Sequence, residues 1–165
     1  MTIVIAHFGE EYVDVTEEQE TLAHDYIDAG ADIVIGGHPH IVQPVETYKD
    51  GIIFYSIGNF VFDQGLTRTK DSMVINFTIN EDGGSQFEVI PVRIKDAIPY
   101  ITENSFFNNR IINELTKNID SKVYQILEDR LVIKGPTIDL EDINQCLLEE
   151  QQLQEVDQQN SGRSQ

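Results

Sequence analysis

The chain has 165 residues, 40% of them hydrophobic, which is enough for one domain with a core. Its 11 Lys and Arg against 29 Asp and Glu give a formal charge of −18, which argues against nucleic acid as a partner because phosphates would be repelled. The single cysteine, Cys146, excludes an internal disulfide. No run of roughly 18 apolar residues and no signal-peptide pattern is present, so the sequence predicts no membrane segment and, as written, a cytoplasmic location.

The first predicted elements form a β-α-β unit. Thr2 to Ala6 has the apolar, β-branched composition of a buried strand. A helix is predicted from Thr16 to Ala29, because Thr16 and Gln19 have capping-box spacing and Gly30 supplies the stop. Ile33 to Ile35 is the second strand, and a strand-helix-strand order of this kind favours parallel pairing.

The segment Gly36-Gly37-His38-Pro39-His40 follows the second strand directly. Glycine lets the backbone turn sharply and approach a ligand closely. Pro39 is expected to bias His38 toward an extended conformation. Two neutral imidazoles held apart in a stiff loop suit a transition metal or an anion.

The remaining elements are predicted from periodicity and turn residues. In chain order they are a short strand within 43–50, a third strand at Ile52–Ile57, a half-buried antiparallel hairpin of Met73–Ile79 and Phe87–Ile94, and helices at Asn109–Asn118 and Ser121–Val132. The last residues, 141–165, are acidic and Gln-rich and predict a disordered tail or a marginal helix.

Polar side chains follow the three predicted parallel strands at the points where they end. These are His7 after the first strand, His38 and His40 after the second and Asn59 after the third. Carboxyl ends of parallel strands meet at one sheet edge, so we expect the histidines to converge and to bind a metal or a phosphate. Glu11 is a candidate to orient a histidine or to act as an acid or base, but an ordinary solvated acid is as good an interpretation. Asn59 is a candidate to bind substrate or to cap the turn.

These residues carry a family resemblance. The segment 7–12, His-Phe-Gly-Glu-Glu-Tyr, resembles the His-Trp-Gly-x-Glu-Tyr element of the CapA capsule-synthesis family, also called the poly-γ-glutamate synthesis or PGA_cap family. The segment 27–40 is similar to the family's Gly-x-His-Pro-His block and the helix before it. The match continues through 43–46 and 54–63, so it runs in order from Ile3 to about Asp63.

The resemblance implies a calcineurin-type metallophosphatase fold, an α/β (α+β sandwich type) architecture with a two-metal site. By that resemblance His7 and His38 would serve one metal and His40 the other, with Mn, Zn or Fe as the divalent metal. The family's Gly-Asp, Asn-Leu-Glu and Asn-Asn-His elements have no counterpart here. We therefore expect residues 1–140 to be the C-terminal portion of such a domain. Three histidines are too few for two metals, which predicts weak metal binding and little phosphoesterase activity.

The resemblance also implies a role in capsule or poly-γ-glutamate biosynthesis, usually from a membrane-anchored, extracytoplasmic position. One alternative is a metal-dependent hydrolase that acts on a phosphoester or on the amide of an anionic polymer. Another is a non-catalytic subunit for polymer export or assembly, and a third is an inactive gene fragment. An unpaired edge on the first strand would favour self-association.

Overall fold

The computed structural model describes residues 1–141 and 143–145, so most of the predicted tail, including Cys146, lies outside the described residues. Along the chain its elements are β1 (Ile3–His7), α1 (Glu17–Asp28), β2 (Ile33–Gly37), β3 (Val45–Tyr48), β4 (Gly51–Phe54), a 3-10 turn (Arg68–Lys70), β5 (Asp71–Ile79), β6 (Ser85–Lys95), β7 (Ile98–Ile101), α2 (Ser105–Leu115), β8 (Tyr124–Leu127) and β9 (Arg130–Lys134). Within the described part, no helix is long and apolar enough to cross a bilayer.

The first sheet has the strand order β1-β2-β4-β3. The predicted β-α-β unit is confirmed, because β1 and β2 are parallel and in register from Ile3 opposite Ile33 to His7 opposite Gly37. The predicted third strand is confirmed as β4, which is parallel to β2 but ends at Phe54. The short strand is also confirmed, and β3 pairs antiparallel with β4.

Helix α1 begins where the sequence predicts, but its capping box is only half formed. The side chain of Thr16 accepts a hydrogen bond from the backbone N–H of Gln19, at 3.2 Å. The side chain of Gln19 does not reach back to Thr16; it is buried and donates to Gln43 Oε1 at 2.9 Å and to the carbonyl of Tyr55 at 3.2 Å. This amide therefore ties α1 to the first sheet.

The second sheet is antiparallel, in the order β5-β6-β9-β8, with β7 paired to the other part of β6. The predicted hairpin is confirmed as β5 and β6, which pair along their length. The strand β7 was not predicted. The helix predicted at Asn109–Asn118 exists as α2 but starts earlier, because Asn104 caps it by accepting from the N–H of Phe106.

The helix predicted at Ser121–Val132 is wrong, since this segment forms the hairpin of β8 and β9. Glu128, in the turn, has φ 55°, which a helix interior does not allow. In β9, Leu131 and Ile133 are buried while Val132 between them is partly exposed, a period of two. The apolar spacing that suggested a helix is compatible with the helical period as well as with the strand period of two. The pairing of β9 with β6 favours the strand.

The central strands of the first sheet, β2 and β4, are buried on both faces. One face packs against the second sheet and α2, with a core formed by Ile33, Val42, Val45, Ile52, Phe54, Met73, Phe87, Val89, Ile111, Ile112, Leu115, Ile119, Leu131 and Ile133. The other face packs against α1 around Ala6, Phe8, Ala23, Ile27, Ala31, Val34, Ile53 and Tyr55. The architecture is a mixed α/β fold with two sheets.

The interpretation of β1 as a buried strand is wrong for its inward face. Ile3 and Ile5 lie opposite Ile33 and Ile35, so they point to the side where the second sheet packs. They are nevertheless 42% and 75% exposed, because the second sheet does not extend over β1. Within the described residues, no strand pairs with the outer edge of β1.

Candidate functional site

The three predicted histidines lie together at the carboxyl edge of the first sheet. His7 is the last residue of β1, and His38 follows β2 directly. The ring centroids of His7 and His38 are 4.6 Å apart, and those of His38 and His40 are 6.3 Å apart. The parallel strands therefore gather the imidazoles as the sequence predicts.

Backbone hydrogen bonds hold the two histidine loops against each other. The N–H of Phe8 donates to the carbonyl of Gly37 at 3.1 Å, and the N–H of Tyr12 donates to the carbonyl of Pro39 at 2.9 Å. Gly36 is needed for this packing, since a Cβ there would overlap the carbonyl oxygen of Tyr55 and lie 2.5 Å from the ring of Phe8. Close backbone contacts therefore fix the positions of the two histidine loops relative to each other.

Strained backbone is concentrated in these loops. His38 has φ 105°, His40 has φ 58° and Tyr12 has φ 65°. The prediction that Pro39 holds His38 extended is wrong. The carbonyls of Gly37 and Pro39, on either side of His38, are both engaged by the first loop, and these bonds fix the conformation. Unfavourable φ values of this kind cluster at functional sites.

The hydrogen bond from His40 to Asn59 fixes the tautomer of the imidazole. His40 Nδ1 lies 2.7 Å from Asn59 Oδ1. Asn59 Nδ2 faces the carbonyl of His40 at 3.4 Å, Gln64 Oε1 at 3.1 Å and the carbonyl of Thr69 at 3.1 Å, so the amide can be oriented in one way only. Since Oδ1 can only accept, Nδ1 carries a proton, and in the neutral imidazole Nε2 is the nitrogen with the free lone pair. A metal-binding histidine is held in this manner.

Asn59 itself is anchored to the second sheet. It is buried, and its carbonyl accepts a hydrogen bond from the hydroxyl of Ser72 in β5. Its amide is used to hold His40 and the segment around Thr69. Substrate binding by Asn59 remains a prediction.

Three side chains that sequence reasoning did not select surround His40. Tyr12 stacks on the His40 ring at 5.8 Å between centroids, and Phe62 lies 5.2 Å from it. Gln64 donates to the hydroxyl of Tyr12 at 2.8 Å and accepts from Asn59. Tyr12 adjoins Glu11, whereas Phe62 and Gln64 lie three and five residues after Asn59, and nothing in their types indicated a contact across the loops.

Comparison with known proteins identifies the region that contains the site. Residues 1–64 match the family model described as bacterial capsule synthesis protein PGA_cap. The capsule biosynthesis protein CapA of Bacillus anthracis is 42% identical over 136 residues, which cover 81% of this chain and 33% of that protein. The chain belongs to the PGA_cap family.

Two further relatives extend the comparison. The PGA biosynthesis protein CapA of Bacillus subtilis (strain 168) is 45% identical over 120 residues, 72% of this chain and 32% of that protein. An uncharacterized protein y4sH of Sinorhizobium fredii is 49% identical over 45 residues, 27% of this chain and 10% of that protein. This PGA_cap chain spans about a third of the length of the two CapA relatives it matches.

The donor set at the PGA_cap site fits a divalent metal in part. Neutral imidazoles suit Mn, Zn and Fe, and His40 presents an oriented Nε2. Glu11 is half exposed, and its Oε1 lies 4.0 Å from that nitrogen, beyond hydrogen-bonding distance. Among the described residues, no group of three His, Cys, Asp or Glu side chains is arranged to hold a metal ion. Metal binding by His7, His38 and His40, and catalysis by these residues and Glu11, remain predictions.

Proposed function

We propose that this chain takes part in the synthesis of bacterial capsule polymer, namely poly-γ-glutamate, and that its histidine edge is one part of a metal-dependent, hydrolase-type centre. The observation that carries the proposal is the convergence of His7, His38 and His40 within the region that matches the PGA_cap family. Relatives named for capsule and PGA biosynthesis support the biological role.

The proposal includes a calcineurin-type metallophosphatase fold for the whole protein. Three imidazoles are fewer than two metals require, so the other ligands would come from outside the described residues. A bound divalent cation would polarise the substrate and activate water. In this chain, Asn59 would orient His40 for such a cation, and Glu11, whose Oε1 lies 4.0 Å from His40 Nε2, would be the residue to exchange a proton with a bound group.

A non-catalytic subunit for polymer export or assembly is the second candidate function. It is supported by the lack, within the described part of the chain, of three ligands arranged for a metal. In that case the histidine edge would hold the polymer or a partner without a metal.

A titration with Mn²⁺ followed by calorimetry tests the main proposal. We expect weak binding, with a dissociation constant on the order of 1 mM, because the ligand set is incomplete. His38→Ala should abolish it. His24→Ala is the matched control. His24 lies on α1 and forms a hydrogen bond with Glu46 of β3, so it is not part of the histidine edge. Metal binding that survives His38→Ala would contradict the proposed centre.

An activity assay tests whether the ligand set is incomplete, and a polymer-binding assay with EDTA separates the two candidate functions. We expect the chain alone to hydrolyse aryl phosphates no faster than the buffer does. Strong Mn²⁺-dependent turnover that is lost in His38→Ala would contradict the need for outside ligands and would make the chain a complete enzyme. Binding of a γ-linked glutamate polymer that is unaffected by EDTA would favour the assembly subunit.

Self-association through the edge of β1 is a further part of the proposal. Exposed Ile5 and the unpaired side of β1 form an apolar strand edge, which another strand can pair with. Ile5→Lys should shift the chain toward monomer in analytical ultracentrifugation. Val61→Lys, at an exposed loop position, is the matched control. Equal behaviour of the two variants would rule out the β1 edge.

A further inference from the structure

A small cavity with two arginines in its lining lies near the histidine edge. It has a volume of about 130 Å³ and is lined by Ile41 and Val42, which directly follow His40, and by Arg68, Asp71 and Arg110. The hydrogen bond from Asn59 to the carbonyl of Thr69 joins the histidine site to the segment between Arg68 and Asp71. The cavity is therefore lined by residues that adjoin the histidine site in the chain, although none of the three histidines lines it.

The lining of the cavity is itself neutral, with Arg68 and Arg110 against Asp71 and Glu114, and Arg93, outside the lining, adds one positive charge to the cluster. Asp71 Oδ1 accepts from both Arg93 and Arg110, the latter at 2.6 Å, so one carboxylate serves two guanidinium groups. Arg68 pairs with the exposed Asp14 at 2.7 Å. Glu114 also lines the cavity, but it pairs with Lys117. One positive charge remains in excess, in a chain whose formal charge is −18.

Two guanidinium N–H groups in this cluster have no acceptor. The Nε atoms of Arg93 and Arg110 are buried and make no hydrogen bond within the described residues. The side chain of Arg93 is only 9% exposed. Phe107 lies 4.3 Å from the Arg93 guanidinium and attracts it through its ring face, but it offers no acceptor. Buried donors without acceptors carry a desolvation cost, and the excess positive charge of the cluster favours an anion, which would contact the partly exposed side chains of Arg68 and Arg110.

We propose that this cavity, the Arg68–Arg110 pocket, binds one oxyanion, and that the oxyanion is a carboxylate of the polymer held at the histidine edge. The identity of the ligand rests on the proposed function, whereas the anion site rests on the arginine cluster. Arginine presents paired donors to a carboxylate or a phosphate. The volume of about 130 Å³ is sufficient for one such group.

The pocket also explains how so acidic a chain could hold an acidic polymer. A net charge of −18 repels a polyanion, but physiological salt largely screens this repulsion at distances beyond about 8 Å. At contact distance the local charges decide, and the arginine cluster supplies an excess of positive charge next to the histidines. The pocket would fix the register of the polymer relative to the histidine edge.

Nuclear magnetic resonance of the arginine Nε–H groups tests the pocket. The probes are inorganic phosphate and a short γ-linked glutamate oligomer, each titrated into the 165-residue chain. We expect saturable shifts of the Arg110 signal with both probes. Arg68→Gln should weaken binding about tenfold, because it removes one charged donor from the pocket. Arg110→Lys, which keeps the charge but loses the planar donor pair, should weaken it as well.

The matched control is Arg130→Gln, which removes the same charge at the Glu88 ion pair of the second sheet. It should leave both dissociation constants within about twofold of the wild type, since the surface charge it removes is distant and screened. Equal weakening by Arg130→Gln, or no saturable shift with either probe, would overturn the pocket. Phosphate binding without oligomer binding would overturn the carboxylate assignment. Oligomer binding that is unaffected by Arg68→Gln and Arg110→Lys would overturn the pocket and leave the proposed function intact.

Discussion

The two sheets place unusual backbone conformations for different purposes. In the second sheet, the non-glycine residues with positive φ are Asp96, Ala97 and Glu128, and all of them lie in two-residue hairpin turns, where such values match the twist of the strands. In the first sheet, Lys49 has positive φ in the β3–β4 hairpin turn, and Tyr12, His38 and His40 have positive φ in the loops that carry the candidate site. Positive φ in the hairpin turns serves to connect strands, whereas positive φ in the histidine loops orients the side chains of the candidate site.

Different interactions stabilise the second sheet and the histidine edge. The second sheet depends on alternating burial, as in β9, so its strands can be shifted only if buried residues become exposed. The histidine edge depends on close backbone approach at Gly36 and on bonds between loops. We therefore expect the stability of the histidine edge to respond to the addition of a single atom. The stability of the second sheet should respond to the loss of buried side-chain volume.

The largest effect is expected from Gly36→Ala. The added methyl group would overlap the carbonyl oxygen of Tyr55, which belongs to backbone and cannot turn away. We expect a loss of at least about 3 kcal/mol in the free energy of unfolding, measured with urea. Gly37→Ala is the control, because nothing lies within 4 Å of a Cβ there. Equal stability of the two variants would contradict the close-packed edge.

A slightly smaller effect is expected from Leu131→Ala in the second sheet. Leu131 is fully buried, and its truncation should cost about 3 kcal/mol. Leu127→Ala is the control, since Leu127 is 51% exposed in the same hairpin and should cost less than about 1 kcal/mol. In a helix these two residues would share a face and respond alike. Matching losses would thus restore the helix in place of β8 and β9.

The smallest effect on stability is expected from Asn59→Ala. It leaves Nδ1–H of His40 without its acceptor and should cost about 1–2 kcal/mol. The more specific readout is the ¹⁵N spectrum of His40, which should report the Nδ1–H tautomer in the wild type and a mixture in the variant. Phe60→Ala, at a neighbouring exposed residue, is the control. A wild-type spectrum that shows Nε2–H would contradict the assigned orientation of Asn59.

The sequence predicted the features that depend on local signals. The glycines and the strand order placed His7, His38 and His40 at one edge, and Thr16 marked the start of α1. It did not predict the β8 and β9 hairpin, because that apolar spacing fits a helix until β6 offers a partner. The exposure of Ile5 was missed for a similar reason, since composition does not show whether a second layer covers a strand.

The contacts around His40 were beyond sequence reasoning. Tyr12, Phe62 and Gln64 come from two loops far apart in the chain, and their meeting depends on how β5 docks against the first sheet. Positive φ at His38 was likewise missed, because the bonds that impose it come from the first loop. Such features become visible only with the tertiary structure.

The anchorage of Asn59 has a consequence for redesign of this protein. Its carbonyl is bonded to Ser72 and its side chain to His40, so the imidazole is positioned by the neighbouring sheet as well as by its own loop. A redesign that aims to shift the imidazole of His40 slightly would therefore leave the histidine loop unchanged. Repacking Met73 and Val42, in the core between the sheets, offers the finer adjustment.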